Sequence, residues 1–309
     1  PRNVGLLFFT ESPEKFFRGA KIEVVQFGDD AGGDLIEERL FSGPLPQQIK
    51  STLDYLDAVG GTLLQKIRGQ AEVERTVPYP YEAMEEAVVN AVYHRGYDSS
   101  PEPTKIYLYP DRMEITSYPG PVSGICREHF EPGGSVPPVP SRNRRIGEFL
   151  KELRLAEGRG TGIPKIRRKM IENGSPQARF DFDEDRTYFR VVLPVHPRYQ
   201  VLYALRGATH LWTIGEKNDA LQHVCRAFEN RPDSGALANQ IIEYAFALDR
   251  LDIAEETMRV FEKQQVKQEP TLPYLTMARL LLDRNMTDRA TEMLGRIPSV
   301  RNVSDTVEA

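Results

Sequence analysis

Three polar residues, Glu86, Asn90 and His94, follow one another at intervals of four in a segment that predicts a helix over 81–94. Each step of four residues turns a helix by about 40°, so the three side chains form one stripe. The roughly opposite stripe is apolar and can pack on a sheet (Met84, Val88 and Val92). A carboxylate, an amide and an imidazole together could activate water, hold a hydrated Mg2+ and contact phosphate. The same spacing also fits a solvated polar face, and the helix alone leaves both interpretations open.

A glycine-rich segment, Gly-Arg-Gly-Thr-Gly at 158–162, precedes a second predicted helix over 164–173. Its alternating glycines let the backbone approach an anion closely, and the helix start adds free N–H groups and a favourable dipole. The following helix contributes positive charge (Lys165, Arg167 and Arg168). The segment lacks the Gly-Lys-Ser/Thr of a Walker A loop, and the helix predicted before it argues against a Rossmann turn. An ordinary turn between two helices remains the alternative.

A third motif, Arg-Thr-Tyr-Phe at 186–189, leads into an apolar strand predicted over 188–193. Thr187, on a central strand, could hydrogen-bond the edge of a purine. Threonine is also simply a common strand residue, so this position alone does not decide between the two roles.

The composition sets limits on what these motifs can belong to. The chain has 309 residues, and 40% of them are hydrophobic, which predicts two or three domains that can each bury a core. It contains no apolar run long enough to span a membrane. The two cysteines, Cys126 and Cys225, lie far apart and form neither a zinc pattern nor a disulfide framework, which predicts a cytoplasmic protein. Residue 1 is Pro rather than Met, so we expect a fragment or a processed product.

The net charge of −5 is unevenly distributed. Ten Lys or Arg residues and only three acidic residues lie between positions 142 and 169, so this basic island carries +7 in an acidic chain. Such an island fits a phosphate-facing lid, and it also fits a surface that binds a nucleic-acid backbone directly.

Apolar patterning predicts the elements that would position these residues. A helix with an apolar stripe of Ile49, Leu53 and Leu56 is expected to continue through Leu63, Leu64 and Ile67, with an interruption at Gly60 and Gly61. The other expected elements are four strands, a long loop rich in Pro and Gly, and a helix (21–27, 35–41, 105–109 and 112–116; 118–141; 146–155).

A helical repeat is predicted after residue 197. Ala220, Ala254 and Ala290 each follow a short turn at the start of a helix, with separations of 34 and 36 residues. This period is close to that of tetratricopeptide repeats, in which small residues let paired helices approach closely. We therefore expect three helical hairpins over about 199–297, with a helical bundle of chance spacing as the alternative.

Five motifs in this order resemble a known family. They are Glu86-Ala-Val-Val-Asn90-Ala-Val-Tyr-His94-Arg95, Glu114-Ile-Thr-Ser-Tyr-Pro-Gly120-Pro, Arg142-Asn-Arg-Arg-Ile-Gly, Gly158-Arg-Gly-Thr-Gly162 and Arg186-Thr187-Tyr-Phe. Together they resemble the ATPase domain of the gyrase, Hsp90, histidine-kinase and MutL (GHKL) superfamily. They are most similar to its branch in bacterial RecG-related transcriptional regulators, where it follows a Schlafen-type AlbA_2 nucleic-acid-binding domain.

The resemblance implies a role for each matching residue. Glu86 corresponds to the general base and Asn90 to the Mg2+ ligand, with His94 in reach of phosphate. The glycine box of the ATP lid corresponds to Gly158, Gly160, Thr161 and Gly162, and Thr187 to the threonine near adenine. The remaining implied nucleotide-binding residues are Tyr118, Gly120, Arg142 and Asn143. One position departs from the family: the turn that matches its D-x-G-x-G box is Tyr-Pro-Gly-Pro-Val at 118–122, without the adenine-reading aspartate.

These observations combine into one expected architecture of class α+β. Residues 46–197 would form a Bergerat-type two-layer α/β sandwich with a mixed sheet, preceded by the end of an AlbA_2-like domain at 1–45. An all-α domain of tetratricopeptide-like hairpins would follow at 198–298, with a polar tail at 299–309. The implied cofactors are ATP and Mg2+.

Three functions remain open from the sequence. The first is a nucleotide-dependent regulator, weakly hydrolysing if at all, that reaches DNA or RNA through a domain largely missing from this chain. The second is a non-catalytic scaffold that forms a homodimer and binds a protein partner through its repeats. The third is direct binding of a DNA or RNA backbone by the basic island at 142–169.

Overall fold

The computed structural model describes residues 3–29, 31–61, 63–66, 73–98, 100–155, 162–265, 267 and 269–297. Within it the chain forms two compact units, Pro1–Pro197 and Arg198–Ala309. The first unit combines a mixed sheet with helices, and the second is helical. The predicted α+β class, an α/β sandwich followed by a helical domain, is confirmed.

The first unit is built on a six-stranded sheet with the order β2-β1-β5-β6-β8-β7. Its strands are β1 (Ile22–Phe27), β2 (Leu35–Phe41), β5 (Thr104–Leu108), β6 (Arg112–Ser117), β7 (Arg179–Asp181) and β8 (Phe189–Pro194). β1 and β5 pair in parallel, and every other neighbouring pair is antiparallel. A separate ribbon pairs β3 (Leu63–Lys66) with β4 (Val73–Thr76).

Buried and partly exposed side chains alternate along the central strands, so one face of the sheet is covered by the rest of the unit. In β5 and β6 every second side chain is buried (Thr104, Ile106 and Leu108; Met113, Ile115 and Ser117). The helices of this unit are α1 (Asn3–Phe9), α2 (Leu45–Gly60), α3 (Tyr81–His94), α4 (Arg144–Glu152) and α5 (Gly162–Glu172). α3 contacts β6, α2 and α5, so it links the sheet to the rest of the helical layer.

The expected continuation of the second helix past Gly60 is wrong. α2 ends at Gly60, and Gly61 takes a positive φ of 64° that few other residues adopt, with its N–H bonded to the carbonyl of Asp57. Leu63 and Leu64 belong to β3 instead, whereas Ile67 lies outside the described residues. The helix ends at the glycine pair, and the apolar residues after it pair with β4 instead. Local periodicity does not reveal this partner, because β4 lies further along the chain.

The strands β1 and β2 lie in the same sheet as the strands that follow them, through the parallel pairing of β1 with β5. Residues 1–45 and 46–197 are therefore physically continuous in this unit. The relation of the first segment to an AlbA_2-like domain remains a prediction.

The second unit contains six helices in its described part. They are α6 (Pro197–Thr213), α7 (Lys217–Asn230), α8 (Gly235–Ala247), α9 (Leu251–Glu262), α10 (Leu272–Asp283) and α11 (Thr287–Gly295). Ala220, Ala254 and Ala290 are each the fourth residue of their helix and are at most 1% exposed. A short turn joins the two helices of each successive pair, α6 with α7, α8 with α9 and α10 with α11, and the assignment of these pairs to tetratricopeptide repeats remains a prediction. None of the helices in the described part of the chain is long and apolar enough to cross a membrane.

Candidate functional site

Helix α3 presents the polar stripe because its other side is used for packing. Its apolar residues Ala83, Ala87 and Val88 are all 0% exposed. Small and branched side chains at these positions let the helix approach β6 and α2 closely. Glu86 and Asn90 consequently lie on the side that faces α5 and are half-buried, whereas His94 at the end of the helix is exposed.

Glu86 and Asn90 contact one another and the first turn of α5. The Asn90 Nδ2 donates a hydrogen bond to the Glu86 Oε1 at 3.0 Å. A Cβ atom added to Gly162 would lie 2.3 Å from the Glu86 Oε1 and 2.8 Å from the Asn90 Nδ2, so any larger residue would displace the ends of these two side chains. The predicted stripe and the last glycine of the predicted box are therefore brought together.

Lys165 supplies the positive charge beside Glu86. Its Nζ lies 3.5 Å from the Glu86 Oε2 and 3.8 Å from the Glu85 Oε2. The Lys165 side chain is 19% exposed and that of Glu86 16% exposed, so solvent screens this pair less than it would a surface pair. The sequence placed Lys165 in the basic island but did not predict its partner, because that contact joins two helices far apart in the chain.

Arg142 and Asn143 hold the C-terminal end of α3. The Arg142 guanidinium donates to the carbonyl oxygens of His94 and Gly120, the latter at 3.1 Å. The Asn143 side-chain amide donates to the carbonyl oxygens of Tyr93, at 2.8 Å, and Arg95. The last carbonyls of a helix have no partner within it and carry its negative dipole, so these donors cap α3. The two residues therefore lie at the predicted site, where the contacts they make support the helix.

His94 is neutral at physiological pH. Desolvation by the surrounding protein, followed by the positive charge of Arg142, lowers the pKa of His94 to about 4. Any contact of His94 with phosphate at pH 7 would therefore be a hydrogen bond from a neutral imidazole and not an ion pair.

The turn that carries Tyr118 and Gly120 is fixed against the β7–β8 connection. The Gly96 N–H donates to the carbonyl of Tyr118 at 2.8 Å, and the Gly120 N–H donates to the carbonyl of Arg186 at 2.7 Å. A Cβ atom on Gly120 would lie 2.7 Å from the carbonyl oxygen of Tyr188, so this close approach also requires glycine. Burial raises the pKa of the Tyr118 phenol, so this side chain is a neutral hydrogen-bond donor or acceptor.

The expected position of Thr187 on a central strand is wrong. Thr187 is exposed and precedes β8, in the turn between β7 and β8. Its N–H and its hydroxyl both donate to the carboxylate of Asp183, each at 2.6 Å. An aspartate carboxylate that accepts from a backbone N–H four residues later, as Asp183 does here, favours a turn over a strand. The hydroxyl that was predicted to contact adenine is engaged in holding this turn.

Three residues of the predicted glycine box, Gly158, Gly160 and Thr161, lie outside the described residues. The box is therefore represented by Gly162 alone, which is the first residue of α5.

The basic island is largely occupied by contacts within the first unit. Besides Arg142 and Lys165, most of its members pair with nearby acids or carbonyls: Arg144 and Arg145 with Glu148, Arg167 with the carbonyl of Phe130, Arg168 with Glu172, and Lys169 with Glu82 and Glu172. Several of these contacts join α5 to α3 or to the loop after β6. Much of the positive charge therefore stabilises the helices around the stripe.

A small aromatic cluster anchors the long loop after β6 and was not predicted. Phe130 of the loop packs against Phe180, Phe182 and Phe189, with ring centroids 5.3–6.0 Å apart. Phe182 and Phe130 are buried, and Ile125 completes the cluster. The alternation Phe-Asp-Phe at 180–182 signals this cluster in the sequence, but only the fold shows that it meets the loop.

The donor chemistry at the stripe fits Mg2+. This ion prefers oxygen ligands, retains several waters and is held through one or two carboxylates plus phosphate. Glu86 and Asn90 offer a carboxylate and an amide oxygen on adjacent turns of α3. Among the described residues no cluster of three or more His, Cys, Asp or Glu side chains could hold a metal by itself.

A family model matches residues 102–193 and is described as "Putative ATP-dependent DNA helicase recG C-terminal". The matched segment runs from β5 to β8 and includes α4 and α5, but it excludes α3 and the helical unit. It covers less than a third of the chain. This segment is therefore similar to the C-terminal region of RecG, a family of the ATPase-like kind.

One solved structure supports the fold. The crystal structure of the DIP2311 protein from Corynebacterium diphtheriae aligns with a TM-score of 0.50 at 15% identity. The alignment covers 90% of this chain and 53% of that protein, so the chain spans about half of its length. Similarity at this identity shows the fold alone. A search of curated proteins found no match to this sequence.

Proposed function

We propose that the first unit is an ATP-binding regulatory domain, with α3 and the start of α5 forming the phosphate end of its site. The observation that carries the proposal is the meeting of Glu86, Asn90 and Gly162 beside Lys165. A carboxylate, an amide, a helix N-terminus and an ammonium group are together the chemistry that phosphate and Mg2+ require. The match of residues 102–193 to an ATPase-like family supports the same function.

The chain's own residues would divide the work as follows. Asn90 would hold Mg2+, which supplies positive charge to the phosphates, and the first turn of α5 would present its free N–H groups to them. Glu86 would accept a proton from an attacking water, with slow turnover. His94 would donate or accept a hydrogen bond as a neutral ring. Arg142 and Asn143 would act indirectly, by fixing the end of the helix that carries the other three.

Calorimetric titration with ATP and Mg2+ tests this proposal. Wild type is expected to bind, and Asn90→Ala to weaken binding by about tenfold or more, because a polar contact to a charged ligand is lost. Asn218→Ala is the matched control, since Asn218 is exposed on α7 in the other unit. Equal heats for wild type and Asn90→Ala would contradict the proposal.

The helical unit is proposed to bind a protein partner. Helix α10 has three leucines with exposed side chains on one side, Leu272, Leu275 and Leu282, at 38%, 51% and 49% exposure. Exposed apolar residues that share a helix face are typical of interaction surfaces. If ATP does not bind, the alternative is a scaffold in which this unit and a homodimer provide the function. Within the basic island Lys165 and Lys169 pair with acids of α3, whereas Arg144 and Arg145 are 87% and 63% exposed, so direct DNA or RNA binding there stays the third candidate.

A further inference from the structure

The site described above is closed by its own residues. The carboxylate of Glu86 lies at the first turn of α5, where free N–H groups and the helix dipole favour a negative charge. Lys165, one turn into the same helix, lies beside the other carboxylate oxygen at 3.5 Å. A carboxylate therefore occupies the position that the sequence predicts for an anionic ligand.

Steric contact reinforces this closure. Gly162 approaches Glu86 and Asn90 so closely that even one added carbon would overlap both side chains. A phosphate group is much larger than a methyl group, so it cannot enter between Gly162 and Glu86 while they remain in contact. Either α5 or the Glu86 side chain must move before a phosphate can lie between Gly162 and the Glu86 carboxylate.

We infer that Glu86 and Lys165 form an internal clamp that competes with the phosphate chain of the ligand for the first turn of α5. Entry of phosphate transfers Lys165 and the helix N-terminus from the carboxylate to the ligand. Glu86 is thereby released from Lys165 as the ligand fills the site. This inference rests on the proposed function for the identity of the ligand, and it adds a device that couples occupancy of the site to the freedom of its base.

The clamp has a predictable cost in affinity. A closed state that is about ten times more populated than the open one weakens apparent binding about tenfold. Removing the charge of Glu86 should therefore strengthen binding by a similar factor. Removing the charge of Lys165 also opens the clamp, but it deletes the group that the ligand takes over, so binding should not strengthen.

The experiment compares the full chain with Glu86→Gln, Lys165→Met and Lys169→Met, titrated with ATP and Mg2+ and, separately, with inorganic triphosphate. Lys169→Met is the matched control, because Lys169 lies one turn further along α5 and also pairs with an acid of α3, Glu82. Amide hydrogen exchange across α5 (Gly162–Glu172) without ligand reports how firmly the clamp holds this helix, because its N–H groups after the first turn are hydrogen-bonded within the helix. Expected results are several-fold faster exchange in Glu86→Gln and Lys165→Met, about tenfold tighter triphosphate binding in Glu86→Gln alone, and no change in Lys169→Met.

The outcomes separate the clamp from the proposed function. If Glu86→Gln binds triphosphate more tightly than wild type does, the clamp is supported. If, in addition, ATP binds no more tightly than triphosphate, the site recognises phosphates alone and the proposed ATP-binding function is contradicted. Unchanged exchange and unchanged affinity in Glu86→Gln overturn the clamp, even if wild type binds ATP. Failure of every variant to bind either anion overturns it as well.

Discussion

At the scale of single residues, spacing predicted which side chains share a helix face but not what they would contact. The intervals between Glu86, Asn90 and His94 are enough to place them on one stripe, because helix geometry is local. The contacts of that stripe with Gly162 and Lys165 depend on how two helices pack. For the same reason the capping role of Arg142 and the turn around Thr187 could not be predicted.

His94 gives a prediction at this scale. Its folded-state pKa is about 4, below the ordinary value of 6.5, so the unfolded chain binds more protons between these limits. Stability attributable to His94 should be full above about pH 6.5 and should fall as the pH decreases toward 4. Urea unfolding at several pH values measures this, with His94→Gln as the comparison.

The expected result is a loss of free energy of unfolding in wild type, relative to His94→Gln, as the pH falls through this window. Parallel pH profiles for the two proteins would show that His94 is protonated equally in the folded and unfolded states. The pKa of His94 would then not be lowered by folding, contrary to the shift given for this residue.

At the scale of elements, the sequence predicted those whose signals are local. The α3 range of 81–94 and the β5–β6 hairpin follow from proline, periodicity and alternation close in the chain. The sequence did not predict β3, because its apolar residues continue the helical spacing of the apolar stripe of α2. It did not predict β7, because this strand has only three residues. Both strands exist through pairing with a partner, which local propensity does not contain.

The buried alanines of the helical unit give a prediction at this scale. Ala254 is 0% exposed at the start of α9 and belongs to the buried core of the helical unit. Ala254→Leu should lower the free energy of unfolding by about 1–3 kcal/mol through overpacking. The single tryptophan, Trp212, stacks on Tyr244 with ring centroids 4.0 Å apart, so its fluorescence follows the unfolding of this unit.

Ala247→Leu is the matched control, because Ala247 is the exposed last residue of α8. Its effect should stay within about 0.5 kcal/mol, as for most surface substitutions. Equal destabilisation by the two substitutions would argue against close helix pairing at Ala254.

At the scale of the whole molecule, composition predicted separate parts, and the structure divides the chain into units at residues 197 and 198. The structure shows which contacts the clustered basic residues make, which a count of charges along the sequence cannot show. Among the described basic residues of 142–169, three contact α3 and one contacts the loop after β6, and their partners are acids and carbonyls of the same unit (Arg142, Lys165 and Lys169; Arg167). The sequence shows that the positive charge is concentrated in one segment, but only the fold shows which acids and carbonyls these basic residues contact.

The most direct test of the account is a crystal structure of the chain grown with Mg2+ and a non-hydrolysable ATP analogue. We predict phosphate density at the first turn of α5, within contact of Asn90, with Lys165 turned from Glu86 toward the phosphates. An intact contact between Glu86, Gly162 and Lys165 at saturating analogue, or phosphate bound elsewhere on the chain, would contradict the account.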